Sequence, residues 1–193
     1  MTTVFATMSM SIDGFIAGPN DNLRQPMGEG GQRLHEWMFN HPDAIDVTVA
    51  GEFAARSGAV MVGRSMFDLA QDDWGDENPF GLPTYVVTHR PHEPVIKGNG
   101  PPYEFASNGL QDAIRQAKAT AKDKDVWVPG GANLIQQLIG SGLLDELRMT
   151  LVPLILGRGR CLFDGVADTP VDLKVTNVIA SPNVTHLTYT LAK

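Results

Sequence analysis

Three short apolar runs, each stopping at a cluster of small, hydroxyl-bearing or cationic residues, constrain this chain more than any other feature. Val60-Met61-Val62 runs into Gly63-Arg64-Ser65, Val86-Val87 into Thr88-His89-Arg90, and Val126-Trp127-Val128 into Pro129-Gly130-Gly131-Ala132-Asn133. Apolar runs of this length, bounded by turn residues, read as buried strands. Two of the three lead into a helical pattern. Strands that alternate with helices in this way pack as a sheet that is parallel in its centre, with helices on both faces. Such sheets bind ligands in the crevice at the carboxyl ends of their strands.

The remaining segments extend that outline. Val4 to Met10 predicts a first strand ending at the Asp13-Gly14 turn. Gln32 to Asn40 and Asp46 to Arg56 predict short helices, the second stopped by Gly58. Thr84 to Thr88 and Tyr103 to Ala106 predict strands. Leu110, Ile114, Ala117 and Ala121 recur at helical spacing behind Ser107 and Asn108 as candidate caps. Asn133 to Ile139 predicts one more helix. The strands Glu146 to Pro153, Leu173 to Ile179 and Thr185 to Leu191 close the chain. The expected class is α/β, with a mixed, mostly parallel central sheet and an antiparallel C-terminal part. Gly18 to Gly31 and His89 to Pro102 read as loops, the first of a length that is usually functional or disordered. The halves they separate do not differ in composition, so one domain over residues 1–193 is expected. A chain of this size buries roughly 70% of the surface it exposes unfolded, enough for a core and a pocket.

Charge and cysteine content narrow the function classes. Fifteen Lys+Arg against 22 Asp+Glu leave a net charge of −7. An acidic chain without a basic block lacks the electrostatic footprint of a nucleic-acid or anionic-membrane binder. Cys161 is the one cysteine, so neither an internal disulfide nor a thiolate zinc site is expected. His35 with His41, or His89 with His92, lack neighbouring carboxylates at ligand spacing, and no metal site is expected. Met1 to Met10 shows no basic region ahead of an apolar stretch. Leu143 to Leu156 is interrupted by Asp145, Glu146 and Arg148 and is too short to span a bilayer. A cytoplasmic protein with a small-molecule substrate is the expectation.

The residues at the strand ends suit a nucleotide with several phosphates. A helix N-terminus offers unpaired N–H groups, and glycines let the backbone approach an anion. Gly130 and Gly131 suit a pyrophosphate, as does the backbone around Gly63. Arg64 and Arg90 can fork onto phosphate oxygens, and Ser65 and Thr88 add hydroxyl donors. A bland reading stands beside this one, with Gly-Gly as a turn and the arginines solvated. Gly28-Glu29-Gly30-Gly31, Gly98-Asn99-Gly100 and Gly157-Arg158-Gly159 start a dinucleotide fingerprint but lack its third glycine in register. No P-loop run occurs. A dinucleotide, if bound, uses a different fold from the six-stranded doubly wound sheet.

Four motifs carry a resemblance. They are Ser9-Met10-Ser11-Ile12-Asp13-Gly14-Phe15-Ile16-Ala17-Gly18, Val62-Gly63-Arg64-Ser65-Met66-Phe67, Val86-Val87-Thr88-His89-Arg90-Pro91, and Gly130-Gly131-Ala132-Asn133-Leu134 with its continuation to Gly159. The chain resembles the dihydrofolate-reductase-like superfamily. Within it, the chain is similar to stand-alone relatives of the reductase domain of bifunctional riboflavin-biosynthesis deaminase-reductases. The resemblance implies a three-layer fold that binds NADPH. Gly63, Arg64 and Ser65 then meet the cofactor phosphates, and Thr88, His89 and Arg90 surround the adenosine 2′-phosphate. Gly130, Gly131, Ala132 and Asn133 hold the pyrophosphate and the ribose beside nicotinamide. Ile12, Asp13 and Ala17 line the place where nicotinamide meets substrate.

The implied activity is an NADPH-dependent reduction of a small heterocycle or a ribosylamino-pyrimidine-like substrate. Water or Asp13 supplies the proton, although Asp-Gly after a strand is equally an ordinary turn. The alternatives are dihydrofolate reduction and a non-catalytic NADP-binding sensor. The folate enzymes place a carboxylate on the first helix. Glu36, beside Trp37, is nearest, but its flanking residues do not match, and it reads as a surface helix residue. Trp74 covers a pocket or simply packs. A homodimer is expected from the resemblance and from the strand-rich end, where Leu147, Met149 and Leu151, then Leu187, Tyr189 and Leu191, alternate as apolar sets.

Overall fold

In the computed structural model, residues 2–40, 42–166 and 170–192 are described. The elements in chain order are β1 (Val4–Ser11), β2 (Phe15–Ala17), a 3-10 turn (Gly31–His35), α1 (Glu36–Phe39), α2 (Ala44–Arg56), β3 (Ser57–Gly63) and α3 (Arg64–Ala70). Then follow β4 (Thr84–Val87), β5 (Tyr103–Ala106), α4 (Leu110–Ala121), β6 (Asp125–Gly130), α5 (Ala132–Gly140) and β7 (Glu146–Val152). The chain ends with β8 (Arg160–Cys161), β9 (Leu173–Ala180) and β10 (Thr185–Leu191). Eight strands form one sheet in the order β5-β4-β3-β6-β1-β7-β10-β9, and β2 pairs with β8 beside it. From β5 to β7 every pairing is parallel. β10 then runs antiparallel to both β7 and β9. This is the mixed α/β sheet that the sequence pattern predicts.

The period-2 alternation of the strands divides the core between two faces. Val4, Ala6, Val126 and Val128 point to one face, where they meet Ile114 and Ala117 of α4 and Leu134, Ile135 and Leu138 of α5. On the other face Phe5 packs with Val49 and Phe53 of α2. Val60, Val62 and Val86 pack there with Phe67 of α3. Leu34 and Trp37 cover Val152 and Val184 on that face as well. Each fully buried side chain of this size stabilises by roughly 1.5–3 kcal/mol, so both helical layers are firmly held to the sheet.

Several local expectations need correction. α2 is capped by Asp43, whose carboxylate accepts from the Ile45 N–H and forms a capping box with Asp46. It ends at Arg56 without Gly58, and the chain enters β3 at Ser57 directly. Gly58 lies inside β3 for a different reason. A Cβ there would sit 2.6 Å from the Ala121 carbonyl oxygen, so strand and helix end approach too closely for a side chain. α4 follows Gly109 with no side-chain cap from Ser107 or Asn108. The expected helix over 32–40 is a 3-10 turn followed by the four residues of α1. β2 and β8, three and two residues long, are too short to show a period.

Candidate functional site

The crevice is on the face covered by α2 and α3, and it crosses the sheet in spatial order. It takes Val87, Thr88, His89 and Arg90 from the end of β4, and Gly63, Arg64, Ser65 and Met66 from the end of β3. Pro129 to Leu134 follow from β6 and α5, then Thr7, Met8 and Ser9 from β1, and Thr150 from β7. Strands lie about 4.8 Å apart, so the four gaps from β4 to β7 span roughly 19 Å. The cavity has a volume of about 1160 Å³. Its far end is closed by Gln32, His35, Glu36, Trp37, Asp21 and Arg160.

At the β4 end, cations and hydroxyls converge. The Arg64 Nε donates to the Asp68 carboxylate at 2.6 Å, and Arg90 stands 3.9 Å from the same carboxylate. Asp68 therefore anchors Arg64, with the exposed Arg90 guanidinium close by. Arg64 also lies over the Phe105 ring. Thr88 is buried, and its Oγ1 accepts from the Arg90 N–H, which fixes the loop after β4.

In the middle, β6 turns into α5 through Gly130 and Gly131, joined by a cis peptide bond. A Cβ on Gly131 would meet only Met66 Cβ, at an ordinary 3.7 Å. The protein's own packing does not require glycine there; the side it leaves open faces the cleft. Opposite this turn, two indoles brace the wall. Trp127 Nε1 donates to Thr7 Oγ1 at 2.9 Å, and Trp37 Nε1 donates to Ser9 Oγ at 3.0 Å. Trp74 both lines the cleft and stacks on Tyr103.

At the far end, His35 stacks on Phe39, and burial pushes its imidazole down to about 4, so it is neutral at pH 7. Arg160 pairs with Asp21.

Eleven of the thirteen residues singled out from the sequence line this one cleft: Ala17, Gly63, Arg64, Ser65, Thr88, His89, Arg90, Gly130, Gly131, Ala132 and Asn133. Ile12 and Asp13 do not line it. Ile12 is 54% exposed, and its N–H donates to the Leu154 carbonyl. The Asp13 carboxylate accepts from the backbone N–H groups of Leu156 at 3.1 Å and Gly157 at 2.6 Å. The hydrogen bond from the Ser11 hydroxyl, with those from the two N–H groups, outweighs the opposing effect of desolvation and holds its carboxyl below the usual range. In this geometry Asp13 braces the loop that carries Leu156 and Gly157. Glu36, expected on the surface, stands in the cleft wall with Trp37. Among the described residues no three His, Cys, Asp or Glu side chains gather as a metal site, and His41 lies outside them.

Sequence reasoning passed over Thr7, Ser9 and Thr150. Their signal was present as polar residues at alternate positions of otherwise apolar strands, on the face of the sheet that carries the cleft.

Residues 2–187 match the sequence pattern of the RibD C-terminal domain. The chain belongs to the RibD C-terminal domain family. An uncharacterized protein of Bacillus subtilis, YyaP, is 26% identical over 184 residues, which cover 90% of this chain and 86% of YyaP. A putative riboflavin biosynthesis protein from Shewanella sp. PV-4 is similar in structure over the full length of both chains, with a TM-score of 0.77 at 22% identity. Dihydrofolate reductase from Enterococcus faecalis, solved with NADP(H) and RAB-propyl, has a TM-score of 0.61 at 15% identity, covering 99% of this chain and 97% of its own. Both structures show that this member of the RibD C-terminal domain family has the dihydrofolate-reductase-like fold. No helix among the described residues is long and apolar enough to cross a membrane.

Proposed function

We propose that the protein is an NADPH-dependent reductase of a small heterocyclic or ribosylamino-pyrimidine-like substrate, working as a cytoplasmic homodimer. The observation that carries this reading is the open side of Gly131, set in line with Arg64, Ser65, Thr88 and Arg90 along one cleft. A pyrophosphate fits where the Gly131 backbone is bare, at the start of the nine-residue helix α5. Arg90 and His89 fit a further phosphate at the outer end, where Arg64 and Arg90 face the carboxylates of Asp68 and Asp73. The residues present therefore fit the cofactor that the resemblance implies.

Bound there, a reduced nicotinamide nucleotide would supply a hydride. The rest is the work of this chain's own side chains. Trp37 and Trp127, fixed by Ser9 and Thr7, form a rigid wall that excludes water from the β1 side of the cleft. Neutral His35 and the Glu36 carboxylate offer hydrogen-bonding groups to a polar ring at the far end. A second reading, dihydrofolate reduction, is favoured by one observation, the placement of Glu36 in the wall beside Trp37.

The test is NADPH absorbance with a panel of acceptors that includes 5-amino-6-(5-phosphoribosylamino)uracil, generated in place by deamination of its diaminopyrimidine precursor, dihydrofolate and small quinones. Oxidation with a pyrimidine supports the first reading, and oxidation with dihydrofolate alone supports the second. Tight NADPH binding with no turnover across the panel would instead support a non-catalytic sensor.

A further inference from the structure

Behind the cleft wall lies a buried polar chain that the proposed reaction has not used. Asp46 of α2 is fully buried, and His186 of β10 is 6% exposed. His186 Nε2 lies 2.9 Å from Asp46 Oδ1, and its Nδ1 lies 3.1 Å from Thr150 Oγ1. Thr150 sits opposite Ser9 in the β1–β7 register and lines the cleft. On its other side Thr150 borders a small void that it shares with His186. A threonine that lines the cleft is thus backed by an imidazole, and the imidazole by a carboxylate. The Trp37 ring stands edge-on to His186 with centroids 5.1 Å apart.

The surroundings keep the carboxylate charged. Burial alone would raise the Asp46 carboxyl, but hydrogen bonds from His186, Ser181 and Asn183 and from the Asp43 backbone together hold it below its ordinary value. The other groups around His186 are few. Glu52 of α2 and Arg148 of β7 border the same void and pair with each other at 3.3 Å. β9 contributes Asn177 and Ile179, and the segment over 31–39 contributes His35 and Glu36 on the cleft side.

We propose that Thr150, His186 and Asp46 form a proton relay that delivers a proton from the buried side of the sheet to the substrate in the cleft. The inference rests on the reductase reading above. Thr150 is the catalytic group, since it is the member of the chain that lines the cleft; His186 and Asp46 position and charge it. The hydrogen-bond direction follows the protonation of His186. As imidazolium it donates through Nδ1 to Thr150 Oγ1, which frees the hydroxyl hydrogen to point into the cleft. As neutral imidazole with Nε2–H on Asp46, it accepts from that hydroxyl instead. In the step itself, the Thr150 O–H bond breaks and its proton goes to a nitrogen or oxygen of the substrate. The His186 Nδ1–H bond breaks in turn and its proton restores the hydroxyl. The imidazolium becomes neutral imidazole, Asp46 remains a carboxylate, and solvent returns one proton to His186 before the next turnover. The electron pair that completes the reduction arrives as hydride, the reductant being of the reduced-nicotinamide class.

The experiment is the pH profile of kcat with NADPH and the acceptor panel. It compares the wild type with His186→Gln, Asp46→Asn, Thr150→Val and Thr150→Ser, with NADPH Kd measured calorimetrically on each. The wild-type kcat profile should carry a basic limb that belongs to this hydrogen-bonded chain, and Asp46→Asn should alter it. His186→Gln and Thr150→Val should lower kcat about a hundredfold and abolish the basic limb, with NADPH Kd unchanged within twofold. Thr150→Ser should restore most of the rate, which a packing role for the methyl group does not predict. A folded His186→Gln that keeps the wild-type profile and loses only thermal stability would overturn the relay and make the chain a fastener between α2 and β10. A wild type that binds NADPH but oxidises it with no acceptor would overturn the reductase reading and the relay together.

Discussion

At the scale of single residues, the cleft is governed by which charges are free and which are engaged. Arg64 is anchored on Asp68, whereas Arg90 is 75% exposed and only 3.9 Å from that carboxylate, so Arg90 is the cation more available to a ligand. Arg90→Ala should weaken NADPH about tenfold, the lower end for a charge-assisted hydrogen bond because the side chain is solvated, and should leave NADH almost unchanged. Calorimetric titration with both nucleotides checks this; equal loss for the two would mean that Arg90 only shapes the loop. Arg64, Thr88 and Arg90 were readable from the sequence because their chemistry is stated by residue type at a strand end. For Asp13 the sequence left a pocket carboxylate and a turn equally open, and its partners, Leu156 and Gly157, lie more than 140 residues away along the chain. No local pattern announces that a turn carboxylate will cap a distant loop. Glu36 reads as a surface helix residue, and it is exposed and lines the cleft as well.

At the scale of elements, strands were the readable part. β3, β4, β5, β6 and α4 announce themselves through apolar runs or helical spacing, and those signals come from burial on one face or both. What the period does not carry is close approach between elements. Gly58 reads as a helix stop, yet it sits in β3 because the Ala121 carbonyl leaves no room for a Cβ. Gly58→Ala should therefore destabilise the fold by roughly 1–3 kcal/mol through overpacking, a fall in Tm of roughly 2–4 °C for each kcal/mol. A thermal melt equal to the wild type would show that α4 can shift without strain. The polar chain behind the cleft was beyond sequence reasoning for the same reason. His186 and Asp46 are 140 residues apart, and only the β7–β10–β9 register and the docking of α2 bring them together.

At the scale of the whole molecule, the sheet has a conspicuous end. β9 is its last strand, and Leu173, Val175 and Val178 are 40%, 53% and 56% exposed. In register they oppose Leu191, Tyr189 and Leu187 of β10, which extend the apolar surface back to the core. Leu147 and Met149, by contrast, are buried against the protein's own core, so the surface left for a partner is the β9–β10 end and not β7. A long apolar edge invites pairing, and we propose that a second copy covers it. Sedimentation equilibrium at micromolar concentration should give twice 20.9 kDa for the wild type and 20.9 kDa for a Val175→Lys, Val178→Lys double variant. A wild-type mass of 20.9 kDa would reject the dimer. The cleft lies on the opposite side of the strand order, from β4 to β7, and its purpose is the central claim. Calorimetric titration of the wild type and of Gly131→Val with NADPH tests that claim most directly. Because Gly131 has a negative φ and an unobstructed Cβ position, the variant should fold normally. The account predicts one NADPH bound per chain by the wild type and none by Gly131→Val; a wild type that binds no NADPH, or a folded variant that binds it as tightly, would contradict it.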